Sequence, residues 1–277
     1  MSAISRQIRI TRSTGSDVED RVAIEEPLEI QLASNTASGA AAKSISITMR
    51  TPGDDEELAL GFLFTEGIIQ SAADVASVDV AGDADPATGI RNVIRVTLQP
   101  DANPPLDKLE RHFYTTSSCG VCGKASLDAL YVDGRASLSN EVTAFSAATL
   151  HALPARVRER QPVFAETGGL HAAAVFGPDG EIAVVREDVG RHNATDKAIG
   201  ALLRSGKTPA HQYGLFVSGR ASFELMQKSL VAGIPVLVAV GAPSSLAVDT
   251  ANEFGMTLVG FLRNGKFNIY AGGKRIT

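Results

Sequence analysis

The stretch YGLFVSGRASFELMQKSLVAGIPVLVAVGAPSSLAVDTANEFGMTLVGFL, residues 213–262, decides the fold because its apolar runs alternate with segments of helical pattern. The predicted elements are strands at 213–218, 235–241 and 256–262, with helices at 222–232 and 244–254 between them. Strands that are joined through a helix run parallel. The stretch therefore predicts an α/β layered sheet with a parallel portion.

The flanking sequence extends this pattern. Strands are predicted at 170–176 and 181–186, and the turn sequence PDG at 178–180 joins them. Helices are predicted at 145–160, with a break near Pro154, and at 193–204. The Asn264-Gly265 pair predicts a tight turn that leads into a last strand at 267–270.

The first 113 residues predict a mixed, strand-rich α/β unit. Strands are expected at 29–32, 44–49 and 94–98, and Ile45, Ile47 and Met49 are expected to share one half-buried face. A helix is expected to start at Asp54 like a capping box, with Glu57 three residues on, and to end at Gly67. Residues 81–88 and 100–105 are predicted loops.

The sequence divides into an N-terminal unit at 1–113, a mobile cysteine loop at 114–124 and a C-terminal α/β domain at 125–277. A hydrophobic fraction of 44% is enough for a core, and the net charge of -5 argues against a general affinity for nucleic acid. The polar N-terminus lacks a signal-peptide core, and no apolar run approaches the roughly 20 residues of a membrane span. We expect a cytoplasmic protein whose two cysteines rest as thiols.

The run SCGVCG at 118–123 holds the only two cysteines of the chain, Cys119 and Cys122. Thiols three positions apart can form a disulfide, share a metal or pass on a sulfur atom. Gly120 and Gly123 leave the backbone free and the sulfurs unshielded, whereas a structural cysteine is usually buried. The alternative is an incidental pair in a surface loop.

A zinc site is a weaker interpretation of the two cysteines. Zinc needs four ligands, or three and a water, and His112, His171 or His192 would have to complete the set. Their spacing does not support this, and the deaminase signature of His-x-Glu and Pro-Cys-x-x-Cys is absent. No metal is expected.

Two strand–helix junctions are suited to an anion. They are SGRAS at 218–222, with Ser218, Gly219, Arg220 and Ser222, and GAPSS at 241–245. Glycine lets the backbone approach a ligand, the N–H groups at the start of a helix favour negative charge, and Arg220 adds a charge-assisted hydrogen bond. Arg263 and Lys266 are expected at the same sheet edge. Alternatively, Ser222 and Ser244 only cap their helices.

Two further polar motifs are site candidates. EDVGRHN at 187–193 places His192 beside a predicted helix that Asn193 would cap, although a solvated loop also explains its charges. TGGLH at 167–171 leads through His171 into an alanine-rich strand. A single histidine at such a position is more often a core residue.

With these motifs, the chain resembles the FdhD/NarQ family of sulfurtransferases, which are required for formate dehydrogenase activity. The matching segments span nearly the whole chain: EEPL at 25–28, MRTPGD at 49–54, ELALGFL at 57–63, TEG at 65–67, SCGVCG at 118–123, TGGLH at 167–171, EDVGRHN at 187–193, SGRAS at 218–222 and GFLRNGK at 260–266. The cysteine run and EDVGRHN together are highly specific.

The resemblance implies that the chain accepts persulfide sulfur from a cysteine desulfurase. It would pass this sulfur to a molybdenum or tungsten cofactor, the bis(molybdopterin guanine dinucleotide), which then enters formate dehydrogenase. It also implies a C-terminal domain like that of cytidine deaminases and a homodimer. Its alternatives are a cofactor-binding chaperone, or a redox or zinc-stabilised interaction protein.

The resemblance also assigns residues. The persulfide carrier of the family falls on Cys119, and Cys122 would assist the transfer or release the sulfur by forming a disulfide. The cofactor-binding stretch of the family falls on Phe261, Leu262, Arg263, Asn264, Gly265 and Lys266. Guanosine diphosphate (GDP) is then expected to bind as a fragment of the full cofactor.

Overall fold

The computed structural model describes residues 4–34, 41–102, 104, 138 and 143–277. The predicted cysteine loop at 114–124, with Cys119 and Cys122, lies outside the described residues. The described part contains twelve strands and six α-helices, and this confirms the predicted α/β class. The predicted boundaries at 113 and 124 also lie outside the described residues, so the division into domains stays a prediction.

The N-terminal part forms a two-stranded ribbon and a four-stranded sheet. The ribbon pairs β1 (Ser5–Thr11) with β2 (Asp17–Ala23) in antiparallel orientation. The sheet has the order β4-β3-β6-β5. Its strands are β3 (Glu26–Ser34), β4 (Ala41–Arg50), β5 (Val75–Ala84) and β6 (Arg91–Leu98), and helix α1 (Asp55–Thr65) packs against the inner face.

The three strands predicted in this part are confirmed as β3, β4 and β6. The strands β1, β2 and β5 were not predicted, and residues 81–84, which were expected in a loop, are the end of β5. In β5 no side chain is fully buried, so its sequence carries only a weak apolar alternation.

The expected common face of Ile45, Ile47 and Met49 is wrong because β4 contains a bulge. The register with β3 shifts between Ile30 and Gln31, so that two residues of β4 oppose one of β3. Ile45 points into the core and is 7% exposed, while Ile47 and Met49 face outward and are 69% and 49% exposed.

Helix α1 starts differently from the prediction and ends as predicted. Asp54 is the N-cap residue, but its backbone is left-handed and its side chain makes no capping hydrogen bond. The side chains of Asp54 and Glu57 instead bind Arg186 of the C-terminal half. At the other end, Gly67 has a positive φ of 75°, and Ile68 donates its N–H to the carbonyl of Leu63, which completes a Schellman motif.

The C-terminal part builds a six-stranded sheet of the order β12-β11-β10-β9-β7-β8. Its strands are β7 (His171–Phe176), β8 (Ile182–Asp188), β9 (Gly214–Val217), β10 (Val236–Ala239), β11 (Thr257–Arg263) and β12 (Lys266–Ala271). Its helices are α2 (Ala147–Arg158), α3 (Pro162–Thr167), α4 (Arg191–Arg204), α5 (Phe223–Val231) and α6 (Ser245–Glu253). The strands β9, β10 and β11 are parallel, as predicted.

The expected break at Pro154 is wrong, because α2 continues through it. Proline removes one N–H donor, but Leu150, Leu153 and Val157 on the same helix face are fully buried against the sheet. This packing keeps the helix continuous on both sides of the proline.

The six-stranded sheet separates two apolar cores. Alternate residues of the central strands, such as Phe216 and Val238, pack with α2 on one face. The residues between them, such as Leu215 and Leu237, join α1, α4, α5 and the four-stranded sheet in one continuous core. Helices α1 and α4 cross at Gly61 and Gly200, where each glycine lies against the backbone of the other helix.

Candidate functional site

The topology of the six-stranded sheet gathers the predicted polar segments at one edge. Strands β8, β9, β10 and β11 run in the same direction, and β7 runs against them. The carboxyl ends of four strands therefore meet the amino end of β7. We call this surface the loop edge; it consists of His171, residues 189–192, 218–222 and 241–244, and Phe261–Lys266.

Adjacent loops of the loop edge are joined by backbone hydrogen bonds. Gly241 donates its N–H to the carbonyl of Gly219 at 2.9 Å, and Phe261 donates to the carbonyl of Gly241 at 3.0 Å. A Cβ on Gly241 would lie 2.9 Å from the oxygen of Gly219, which is too close for a side chain. Glycine at 241 therefore allows the loops after β9 and β10 to touch.

The stretch from Phe261 to Lys266 forms the β11–β12 end of the loop edge. Phe261 has a positive φ of 55°, which is rare for an aromatic residue, and the guanidinium of Arg263 lies 5.5 Å from its ring centre. Asn264 and Gly265 also have positive φ angles, which confirms the predicted tight turn. Leu262, which the resemblance places in the cofactor-binding stretch, has its side chain in the core at 1% exposure.

The serine and arginine side chains of the central loops have different roles. Ser218 ties its loop to β7, since its hydroxyl accepts the N–H of Ala172 at 2.9 Å. Ser244 caps α6 by accepting the N–H of Ala247 at 3.2 Å, whereas Ser222 makes no capping hydrogen bond to α5. Arg220 is exposed to solvent. The simple capping interpretation thus explains Ser244 but not Ser222.

The EDVGRHN motif at 187–193 has two sides, and one of them is structural. Asp188 is fully buried and accepts hydrogen bonds from the N–H groups of Thr51 at 3.1 Å and Gly190 at 2.8 Å, and from the amide of Asn193 at 3.2 Å. It also pairs with the buried ammonium of Lys197 at 2.8 Å.

Asn193 completes this structural side. Its side-chain amide also donates to the carbonyl of Met49 at 2.7 Å. The prediction that Asn193 caps α4 is therefore wrong, since the N-cap residue is Gly190. Sequence reasoning missed that MRTPGD at 49–54 and EDVGRHN bind each other and fasten the N-terminal sheet to the C-terminal part.

The other side of the motif, Arg191 and His192, belongs to the loop edge. The Nε atom of Arg191 and the Nε2 atom of His192 are buried and have no hydrogen-bond partner among the described residues. A carboxylate oxygen of Glu224 lies 4.0 Å from the Nε2 atom of His192. Burial, reinforced by the charges of Arg191 and Lys228, lowers the pKa of His192 to about 4, so its ring is neutral at pH 7.

His171 lies beside Arg191 and Gly219. A Cβ built on Gly219 would lie 3.5 Å from the Nδ1 atom of His171 and 3.8 Å from the Cδ atom of Arg191. Partial burial, together with the positive charge of Arg191, lowers the pKa of His171. The structure thus places the imidazole of His171 and the side chain of Arg191 together against the backbone of Gly219.

The described residues contain no group of three or more His, Cys, Asp or Glu side chains arranged to hold a metal ion. Cys119 and Cys122 lie outside the described residues, so zinc binding by these cysteines stays a hypothesis. Within the same described ranges, no helix is long and apolar enough to cross a membrane.

Comparison with known proteins gives one consistent result. The family model described as the FdhD/NarQ family matches residues 23–277. A sulfur carrier protein FdhD of Mycolicibacterium paratuberculosis is 51% identical over 280 aligned residues, which cover 100% of both chains. A sulfur carrier protein FdhD of the archaeon Sulfurisphaera tokodaii is 44% identical and covers 97% of this chain and 96% of its own length.

A solved structure is similar over the same length. It is a crystal structure from Desulfotalea psychrophila, assigned there as a formate dehydrogenase accessory protein. Its TM-score is 0.72 at 25% sequence identity, and the match covers 99% of each chain. The similarity therefore includes the N-terminal sheet, the six-stranded sheet and the loop edge.

Proposed function

Because the chain belongs to the FdhD/NarQ family, we propose that it is a sulfur carrier that supports the maturation of formate dehydrogenase. In this proposal it takes persulfide sulfur from a cysteine desulfurase and delivers it to the molybdenum bis(molybdopterin guanine dinucleotide) cofactor, which is its substrate. The proposal includes a homodimer that works in the cytoplasm. The observation that carries it is the match of 97–100% of the chain to proteins named as sulfur carriers.

Cys119 is the proposed acceptor of sulfur. Its thiolate attacks the terminal sulfur of the desulfurase persulfide, the S–S bond of the donor breaks, and the donor cysteine leaves as its thiolate. The new S–S bond resides on Cys119, and no net oxidation takes place. Delivery as sulfide then takes two electrons, which Cys122 supplies if its thiolate attacks Cys119. That step expels hydrosulfide and forms a disulfide, which a dithiol reductant of the cell has to reduce.

The loop edge is the proposed binding site for the guanine dinucleotide ends of the substrate. Gly219 and Gly241 have no side chains, so a phosphate can come close to the backbone N–H groups of their loops. The partly exposed ring of Phe261 is suited to stacking with a purine base. Arg220, Arg263 and Lys266 are exposed and provide positive charge along the same edge. Ser218, Ser222, Asn264, Gly265 and His192 complete the proposed binding set.

Two experiments test these parts separately. Incubation with a cysteine desulfurase and cysteine, followed by mass spectrometry, is expected to find one added sulfur on Cys119 in the wild type and in Cys122→Ser, and none in Cys119→Ser. Undiminished sulfur loading of Cys119→Ser would refute the persulfide mechanism.

Calorimetry tests the nucleotide site. GDP is expected to bind the wild type, and each of Arg220→Ala and Lys266→Ala is expected to lose about 1.5–3 kcal/mol of binding free energy, the usual contribution of a charge-assisted contact. Unchanged affinity in both variants would place the nucleotide elsewhere.

A further inference from the structure

The four-stranded sheet has an outer face that α1 does not cover. Helix α1 packs on the inner face, where Leu28 and Ile30 of β3 are 0% exposed and Ile94 of β6 is 1% exposed. The residues between them point to the opposite side of the sheet. On that outer face, Ile47 and Met49 of β4 are 69% and 49% exposed, so two large apolar side chains lie open to solvent.

The strand register joins these side chains into one patch. Met49 lies opposite Pro27 of β3, and Ile47 lies opposite Glu29, which in turn lies beside Val93 of β6. Neighbouring side chains on one face of a sheet are about 5 Å apart, so the apolar groups are contiguous. We call this surface the outer patch; it consists of Pro27, Glu29, Ile47, Met49 and Val93.

The outer patch lies at a strand edge. The order of the sheet is β4-β3-β6-β5, and β4 pairs with β3 alone among the described strands. An edge strand with exposed apolar side chains invites association unless charges or another surface protect it. The outward side chains at 47 and 49 carry no charge. The patch therefore has the properties of a surface that another protein covers.

One charged group, Glu29, indicates the chemistry of this partner. Its carboxylate makes no hydrogen bond or ion pair with another described residue. The neighbouring cation, Arg95, is bonded to the side-chain oxygen of Gln31 at 3.0 Å. A partner that covers Glu29 has to supply a cation, since a carboxylate that loses its water without a counter-charge costs free energy. The complementary surface therefore has apolar side chains around a lysine or an arginine.

The outer patch adjoins the loop edge. The carbonyl of Met49 accepts the side-chain amide of Asn193 at 2.7 Å, and Asn193 lies in the first turn of α4 with Arg191 and His192. A carrier has to reach its sulfur donor and its substrate with one cysteine, so the donor has to bind near the substrate site and leave it free. The outer patch meets both conditions, because it belongs to the N-terminal sheet and the loop edge is built from C-terminal segments.

We propose that the outer patch is the docking surface for the cysteine desulfurase, and that this partner presents apolar side chains around a lysine or an arginine. The inference rests on the function proposed above. It deepens that function because it names the surface on which the sulfur donor binds.

The test compares two sulfur donors on the full chain. The first is the desulfurase that loads Cys119 in the experiment above, supplied with cysteine, and the second is glutathione persulfide, a small donor that needs no docking surface. In both cases the thiolate of Cys119 takes the terminal sulfur and the donor thiolate leaves. Ile47→Asp is expected to slow loading from limiting desulfurase at least about 10-fold and to leave loading from glutathione persulfide unchanged.

The charge of Glu29 gives a second comparison. Glu29→Lys brings like charges together and is expected to slow loading from the desulfurase about 10-fold or more, whereas Glu29→Gln has a smaller effect. Added salt is expected to slow the wild type more than Glu29→Gln, because salt screens the proposed ion pair. The matched control is Val80→Asp, since Val80 is 50% exposed and lies opposite Ile94 of the inner face. It is expected to load like the wild type.

The two donors separate the failure of this inference from the failure of the proposed function. If Ile47→Asp and Glu29→Lys load from the desulfurase at the wild-type rate, the docking surface is refuted while the proposed function stands. If neither donor adds sulfur to Cys119 of the wild type, the proposed function itself fails. Equal slowing with both donors would show damage to the reaction of Cys119 and would refute the docking surface. A change of Ile47→Asp from dimer to monomer in light scattering would assign the patch to a second copy of the chain instead.

A footprint on the wild-type protein needs no variant. Met49 is half exposed, whereas Met226 and Met256 are fully buried, so hydrogen peroxide is expected to oxidise Met49 first among these three. The desulfurase, added without cysteine, is expected to slow the formation of the sulfoxide at Met49, as mapped by mass spectrometry. Equal oxidation of Met49 with and without saturating desulfurase would overturn the proposal.

Discussion

Replacement of Gly61 by alanine is expected to destabilise the protein, although helix propensity alone predicts the opposite. Gly61 lies inside α1, where alanine is favoured over glycine by about 1 kcal/mol. In the structure, however, a Cβ on Gly61 would lie 1.9 Å from the carbonyl oxygen of Asp196 and 2.6 Å from its carbonyl carbon, both in the backbone of α4.

The size of the effect follows from this contact. Non-bonded atoms rest at about 3.5 Å, so α1 and α4 have to separate by roughly 1.5 Å to admit the methyl group. Overpacking of this kind costs about 1–3 kcal/mol, and rigid backbone on both sides leaves little room to relax. Because the helices cannot relax easily, we expect a cost in the upper part of this range, about 2–3 kcal/mol, and after subtraction of the propensity gain of about 1 kcal/mol a net loss of about 1–2 kcal/mol in the free energy of unfolding.

Urea unfolding followed by circular dichroism measures this change directly. Gly200→Ala is the reciprocal variant, since its Cβ would lie 1.9 Å from the carbonyl oxygen of Glu57. The double variant is expected to lose less than the sum of the two single losses, because the first methyl group already separates the helices. Gly169→Ala is the control, since its nearest contact would be 3.8 Å. A stability of Gly61→Ala equal to or above that of the wild type would refute the close crossing of α1 and α4.

Two further predictions concern buried and partly buried ionisable groups. Asp188→Asn leaves the ammonium of Lys197 buried without its charge partner and is expected to lower the free energy of unfolding in urea by about 3–5 kcal/mol. The control variant Asp249→Asn, on the exposed side of α6, is expected to change this free energy little. Equal stability of the two variants would contradict the role of Asp188 in holding the N-terminal and C-terminal parts together. The pKa of His192 is 6.5 in the unfolded chain and about 4 in the folded protein. Between these two pH values the unfolded chain binds more protons than the folded protein. The free energy of unfolding therefore declines as the pH falls from about 6.5 to about 4. His192→Gln is expected to flatten this decline in thermal unfolding curves, and an unaltered slope would show that other groups cause it.

The sequence alone predicts the centre of the C-terminal sheet well because the strands β7, β9, β10 and β11 are mostly buried on both faces and therefore form long apolar runs. The apolar runs at 213–218 and 235–241 contain β9 and β10, and the Asn264-Gly265 turn is found where it was expected. The ribbon of β1 and β2 could not be predicted in this way. The residues of the ribbon are mostly exposed. The pairing of β1 with β2 therefore depends on contacts between the two strands and not on a buried apolar face that the sequence would reveal.

The candidate site was predictable in part. The alternation of strands and helices predicts parallel strands, whose carboxyl ends lie at the same edge of a sheet, so that the loops after β9 and β10 were correctly expected at one edge. The sequence could not predict which residues of EDVGRHN are structural and which face the loop edge, because the structural residues bind groups far away in sequence. The N–H of Thr51, which Asp188 accepts, lies 137 positions away. The outward turn of Met49 likewise depends on a bulge that the alternation of apolar residues does not reveal.

The most direct test of the central claim is the rescue of formate dehydrogenase activity in a bacterial strain that lacks its own sulfur carrier of this family. The wild-type chain is expected to restore the activity, and Cys119→Ser, expressed to the same level and equally stable, is expected to restore none. Stoichiometric zinc on Cys119 and Cys122 of the purified protein would favour an interaction module, since a zinc-bound thiolate is a poor sulfur carrier. Full rescue by Cys119→Ser would contradict the sulfur-carrier account and would point to a cofactor-binding chaperone.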